Sequence, residues 1–184
     1  MNKRLIMTVL GLIISGCGGG SGGSSSDTGS VSVAGDTGTI SLSITDAPVD
    51  NAMQVVIEFT GVEFKHGSGD LQQFTFNPPR QIDVRQLHSG NTATLLHKEQ
   101  LDAGHYDSVR LMINAEPGSS ASFIELPTGI YPLTISSDGM IGLHLTDGFD
   151  IPAGGAADFT IDFDLRQSIQ CSTGATDCQL QPAL

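Results

Sequence analysis

At 184 residues, with 8 basic and 20 acidic side chains and a formal net charge of −12, the chain has room for one ordinary domain with an acidic surface. Phosphate backbones and anionic lipid headgroups repel such a surface, which argues against nucleic-acid binding and electrostatic membrane docking. With 8 Phe, 2 Tyr and no Trp, the core must be mainly Val, Ile, Leu and Phe.

Lys3 and Arg4 precede ten mostly apolar residues, Leu5 to Ile14, closed by Ser15-Gly16-Cys17. A positive start, a short apolar run and small residues are the layout of an export signal. A membrane-crossing helix needs about 20 apolar residues, so this run is expected to be cut off rather than kept as a span. Ile14-Ser15-Gly16-Cys17 resembles the lipobox of bacterial lipoproteins, whose cysteine is diacylated through sulfur, becomes the first residue and is then N-acylated. That resemblance makes Cys17 the anchor in the bilayer, and several acyl chains hold firmly because each buried methylene contributes about 0.8 kcal/mol. Under the sorting rule of Gram-negative lipoproteins, Gly18 in place of an Asp points to the outer membrane.

From Gly18 to Ser30 the chain is nearly all Gly and Ser, with no apolar surface to bury. Such a tether reaches roughly 20 Å in root-mean-square extension. The expected division is a signal over 1–16, a lipidated cysteine and flexible tether over 17–37, and one folded domain over 38–184. Removing Lys3 and Arg4 leaves 6 basic residues against 20 acidic ones, a charge of −14. Beyond Cys17 there are only Cys171 and Cys178, an even pair in an exported chain, and a disulfide between them is expected. Half of a metal site is the alternative, but the sequence offers no matching second pair.

The folded region alternates with period two, the signature of strands. Ile40, Leu42 and Ile44 face one way and Ser41, Ser43 and Thr45 the other, up to Asp46-Ala47-Pro48. Val55, Ile57 and Phe59 continue as Val62 and Phe64 after a one-residue slip at Gly61, which predicts one strand with a β-bulge. Gly67-Ser68-Gly69-Asp70 turns into Phe74 and Phe76, and Pro78-Pro79 is expected to end that strand. Ile82 and Val84 form a short run; Leu87, Leu95, Leu96 and Leu101 flank a segment that fits a loop, a helical turn or an edge strand. Leu133 and Ile135 are expected to pair with Ile141, Leu143 and Leu145 across Asp138-Gly139.

Leu101-Asp102-Ala103-Gly104 leads into Val109, Leu111 and Ile113, and fifty residues on Ile151-Pro152-Ala153-Gly154 leads into Phe159, Ile161 and Phe163. This echo predicts equivalent places in two sheets. The expected fold is all-β, an antiparallel β-sandwich of about eight or nine strands with little helix.

Four segments carry a family resemblance: Ser43-Ile44-Thr45-Asp46-Ala47-Pro48, Leu101-Asp102-Ala103-Gly104-His105-Tyr106, Leu126-Pro127-Thr128-Gly129, and Asp162-Phe163-Asp164-Leu165-Arg166-Gln167-Ser168-Ile169. In order and spacing they resemble bacterial lipoproteins that share the domain of unknown function 4382, over roughly Gly38 to Leu184. The resemblance implies an immunoglobulin-like or transthyretin-like sandwich on an envelope lipoprotein, with no established activity. It also implies a last strand beyond Leu180-Gln181-Pro182, so either this chain is a fragment of a longer domain or the final strand is missing, and a missing strand would leave an open sheet edge.

Within the expected domain, 38–184, no G-x-S-x-G, S-x-x-K, H-x-H or H-E-x-x-H pattern is present, and His66, His88, His97, His105 and His144 fall in turns or on polar strand faces. No catalytic residues are assigned. Asp162 and Asp164 lie two apart on one strand and share a face with Asp158, where they are solvated, paired with Arg166 or Arg110, or bridged by a cation. Asp46 continues the inward alternation, so its carboxylate is expected to accept backbone hydrogen bonds at the turn; a calcium ion held by Asp46, Asp162 and Asp164 is the sharper alternative. No other cofactor is expected. The function expected is a lipid-anchored, non-catalytic module at the outer membrane, binding a protein, a glycan or another copy of itself. The alternative is a structural subunit that assembles through an open sheet edge, and a hydrolase comes third.

Overall fold

The sequence alternation is realised as strands packed in two sheets. The computed structural model describes residues 37–47, 51–135, 143–172, 174 and 176–181. The expected signal, lipidated cysteine and tether up to residue 36, and the Asp138-Gly139 turn, lie outside them. The strands are β1 (Thr37–Ala47), β2 (Gln54–His66), β3 (Leu71–Asp83), β4 (Ala93–Asp102), β5 (Gly104–Ile113), β6 (Phe123–Leu126), β7 (Gly129–Thr134), β8 (Leu143–Leu145), β9 (Phe149–Ile151), β10 (Ala156–Asp164), β11 (Ile169–Cys171) and β12 (Cys178–Leu180). A 3-10 turn spans Val84–Leu87, and a four-residue helix α1 spans Leu165–Ser168. These are more strands than the eight or nine expected, because β8, β9, β11 and β12 have three residues each, too few to show a period of two.

The small sheet has the order β10-β1-β4, and the large one β11-β12-β7-β6-β2-β5-β8, with β3 on β2 and β9 on β5. Eight of the ten pairings are antiparallel; β1 with β10 and β12 with β7 are parallel. A parallel pair needs a long crossover, which the intervening strands supply in both cases. The all-β sandwich is therefore built from two mixed sheets. Between them lies one core, with Ile40, Leu42, Ile44, Ile161 and Phe163 from the small sheet and Val55, Ile57, Phe59, Val62, Phe64 and Leu111 from the large one. Phe163 meets Phe59 edge-on at 6.3 Å between centroids, joining the two layers.

The bulge at Gly61 is present: the register of β2 against both β3 and β5 shifts between Phe59 and Gly61. A Cβ on Gly61 would stand 2.5 Å from the Phe74 carbonyl oxygen, so only glycine fits. Because of the slip, Val55, Ile57, Phe59, Val62 and Phe64 are all fully buried.

Two expectations need correcting. Pro78-Pro79 does not end β3, which runs on to Asp83. Thr75 pairs with Gly61 and Arg80 with Phe59, so Phe76 to Pro79 stand opposite Thr60 alone. Prolines are tolerated there because β3 pairs only with β2 and its other side needs no donor. The hairpin expected between Leu133 and Leu143 does not form either: β7 pairs with β6 and β12, and β8 pairs with β5 several strands away. Apolar alternation made the two runs look complementary, but β6 took the place beside β7 through the two-residue turn Pro127-Thr128.

The echoed segments do occupy the two sheets, in opposite senses. Leu101 is the last residue but one of β4 in the small sheet and Gly104 opens β5 in the large one; Ile151 ends β9 in the large sheet and Ala156 opens β10 in the small one. The segment left open, from Leu87 to Leu101, is largely edge strand. β4 pairs only with β1, and register shifts at two places along it let both Leu95 and Leu96 be buried.

Candidate functional site

On one side of the sandwich the two sheets end in facing edges, β3 and β4, each with a partner on one side only among the described residues. Side chains of β3 tie the edges together at two points. Arg80 Nη1 donates to the carbonyls of Leu95 at 2.8 Å and Thr94 at 3.2 Å, while its guanidinium carbon sits 4.3 Å from the centre of the Phe76 ring. At the other end Gln72 Oε1 accepts from the Asp102 amide at 3.2 Å and from the Tyr106 hydroxyl. Between these ties, among the described residues, no hydrogen bond joins β3 to β4.

The gap left between them is an open groove of about 660 Å³. One wall is the bulged stretch of β3 from Gln73 to Arg80; the other is Leu96 and Glu99 of β4. Phe76 and Leu96 are buried and Phe74 half-buried, giving an apolar floor, whereas Asn77, Pro78, Pro79 and Glu99 are exposed. Thr75, Asn77, Arg80 and Glu99 supply polar groups to the walls. A volume of this size falls within the range of about 300–1,000 Å³ usual for small-ligand sites.

Tyr106 fixes the Gln72 end. It is fully buried, stacks on Phe149 at 5.2 Å, and its hydroxyl also donates to the Asp102 carbonyl at 3.0 Å. Burial, reinforced by the nearby Asp102 carboxylate, pushes that hydroxyl up to about 12.

A second polar cluster closes the same end of the sandwich. Ser68 Oγ lies 2.8 Å from His66 Nδ1 and donates to Asp70 Oδ2 at 2.8 Å; His105 Nδ1 lies 3.1 Å from Asp150 Oδ1. A serine beside a histidine invites a nucleophile–base reading, but that chemistry needs a third group orienting the histidine. Here the carboxylate holds the serine, the Ser68 amide also donates to His66 Nδ1, and His66 Nε2 is buried without a partner. These contacts span only His66 to Asp70 and brace the β2–β3 turn, which is docked by the Gly67 amide on the His105 carbonyl at 2.7 Å.

A family model described as "Domain of unknown function (DUF4382)" matches residues 37–182, from the first residue of β1 to beyond β12. The chain belongs to the DUF4382 family. No curated protein and no solved structure matches it.

The four segments that carried the resemblance are structural joints of the DUF4382 domain. Ser43 to Ala47 of the first form the end of β1, and the others form the β4–β5 crossing with Tyr106, the β6–β7 turn, and the passage from β10 through α1 to β11. The expected disulfide is present: Cys171 and Cys178 are direct partners across β11 and β12, with Cα atoms 4.4 Å apart. Of the carboxylates considered for calcium, two have described side chains. Asp162 is exposed on β10, and both oxygens of Asp164 accept from Gln167, one from its amide at 3.2 Å and one from its side chain. Asp46 lies on β1 opposite Phe163, and its side chain is outside the description. Among the described residues no three His, Cys, Asp or Glu side chains group as metal ligands. The groove itself was not foreseen, since its walls lie more than a dozen residues apart in sequence and meet only through the fold.

Proposed function

We propose that this DUF4382 protein is an envelope lipoprotein, held in the outer membrane by acyl chains on Cys17, whose sandwich is a non-catalytic binding module. The observation that carries the reading is the β3–β4 groove, tied open by Arg80 at one end and Gln72 at the other. The address is supported by Ile14-Ser15-Gly16-Cys17 and by the Gly/Ser run after it, which is long enough to hold a domain clear of the headgroups.

Assembly through a sheet edge, the other function the sequence leaves open, draws little support from β3 and β4. Bulges, two prolines, Arg80 and Lys98 on these edges are the devices that keep strands from adding to one another. Two measurements test the proposal. An alkyne-bearing palmitate fed to cells should label the protein and copurify with outer membrane, and Cys17→Ala should abolish both. A photo-crosslinking amino acid at Thr75, in the groove, should give adducts in cells that the same group at exposed Thr160 on β10 does not. Equal adducts at both positions would defeat the groove, and label that survives Cys17→Ala would defeat the anchor.

A further inference from the structure

The chemistry of the groove narrows what it can hold, taking as given that the groove is the binding surface. Charge comes first. The chain carries −12, so anionic ligands are repelled at long range. Inside the groove one cation, Arg80, and one anion, Glu99, stand on opposite walls, so the lining favours neither sign. A neutral ligand fits both facts.

Hydrogen-bonding capacity comes next. A guanidinium has five donors. The two bonds to Leu95 and Thr94 both come from Nη1 of Arg80, which leaves Nε and Nη2. Asn77 offers a donor pair and an acceptor, Thr75 a hydroxyl, and Glu99 two acceptor oxygens. Planar groups of mixed donor and acceptor character, beside the apolar surfaces of Phe74, Pro78 and Pro79, match a ligand that presents hydroxyls at its rim and C–H bonds on its ring faces.

An extended peptide fits less well, because it would need an unbroken row of main-chain partners. β3 is bulged from Phe76 to Pro79, with two residues that lack an N–H, and the register of β4 shifts between the partners of Ile40 and Leu42 and again before Ser43. We infer that the β3–β4 groove binds a short neutral oligosaccharide, with Asn77, Arg80 and Glu99 addressing its hydroxyls and Phe74 with Pro78-Pro79 its C–H faces.

The test is titration of the full ¹⁵N-labelled chain, in zwitterionic detergent, with chitotriose, maltotriose and mannotriose, and with trigalacturonate as the anionic counterpart. At least one neutral trisaccharide should shift amides within 73–80 and 96–99, while trigalacturonate leaves them unmoved. Asn77→Ala and Glu99→Ala, both exposed and outside the core, should each weaken that binding about tenfold, the loss expected of one good polar contact. Three neutral sugars without effect on those amides, or shifts that both variants leave unchanged, would overturn the inference. If the sugars fail while a photo-crosslinker at Thr75 still captures a protein, the oligosaccharide falls and the binding module stands. If Thr75 gives no adduct of any kind, the module falls with it.

Discussion

Replacing Tyr106 by Phe removes one oxygen from the end of the groove, and the consequence depends on pH in a way the structure fixes. At neutral pH the hydroxyl shares its one proton between Gln72 Oε1 and the Asp102 carbonyl, so its loss is expected to lower stability by about 1–1.5 kcal/mol. In the fold the hydroxyl is raised to about 12, mainly by burial, above its ordinary value near 10. A folded value raised above the unfolded one gives stability that is fully present below pH 10 and is lost as pH climbs toward 12, because the unfolded chain releases its proton first. Linkage puts the loss at about 1.4 kcal/mol by pH 11 and about 1.9 kcal/mol by pH 11.5. The phenylalanine variant, with no hydroxyl to titrate, has no such loss. The wild type should therefore be the more stable protein at pH 8, equal to Tyr106→Phe near pH 11, and the less stable above it. Urea unfolding followed by far-ultraviolet circular dichroism at pH 8, 10, 11 and 11.5 measures the gap directly, and the other titrating groups cancel between the two proteins. A gap that stays constant from pH 8 to 11.5 would refute the burial argument for this hydroxyl.

Further expectations concern the frame and the carboxylates. Cys171→Ala with Cys178→Ala opens a loop with a sequence separation of 7 and should lower stability by about 2.5 kcal/mol on the chain-entropy model; an unchanged urea midpoint would show that β11 and β12 hold without the staple. Gly61→Ala drives a methyl to 2.5 Å from the Phe74 carbonyl and should destabilise by about 1–3 kcal/mol, read as a lowered midpoint with an unchanged m-value. Phe163→Ala, at a fully buried site against Phe59, should remove about 3–5 kcal/mol, and a smaller loss would mean that the two sheets close over the cavity. Calcium at millimolar concentration should leave the melting temperature in EDTA unchanged, since Asp164 caps Gln167 and Asp162 stands alone in solvent; a rise of several degrees would reveal a site.

What the sequence discloses here is the part of the fold that repeats locally. Ile40, Leu42 and Ile44 announce a face because a strand alternates whatever it later pairs with, and the slip at Gly61 is legible because a bulge changes that phase within a single strand. Partner choice is not local. Leu133 suits Leu143 as well as it suits a neighbour from β6, and the choice depends on a turn of two residues and on where β12 arrives from the far end of the chain. The groove is hidden for a related reason. Pro78-Pro79 breaks the rhythm of β3, and a broken rhythm ordinarily marks the end of a strand. On a central strand it would have been one, since a proline there removes a ladder bond on a side that needs it. β3 is an edge, so the prolines bulge outward and the strand resumes at Arg80, in register with Phe59. That bulge sets Arg80 where it reaches across to the carbonyls of Leu95 and Thr94, so the same residues that obscure the strand in the sequence also form a wall of the groove. A Pro-Pro pair between alternating aromatics and a lone arginine is thus a signal that points two ways, and knowing that the strand lies at an edge decides between them.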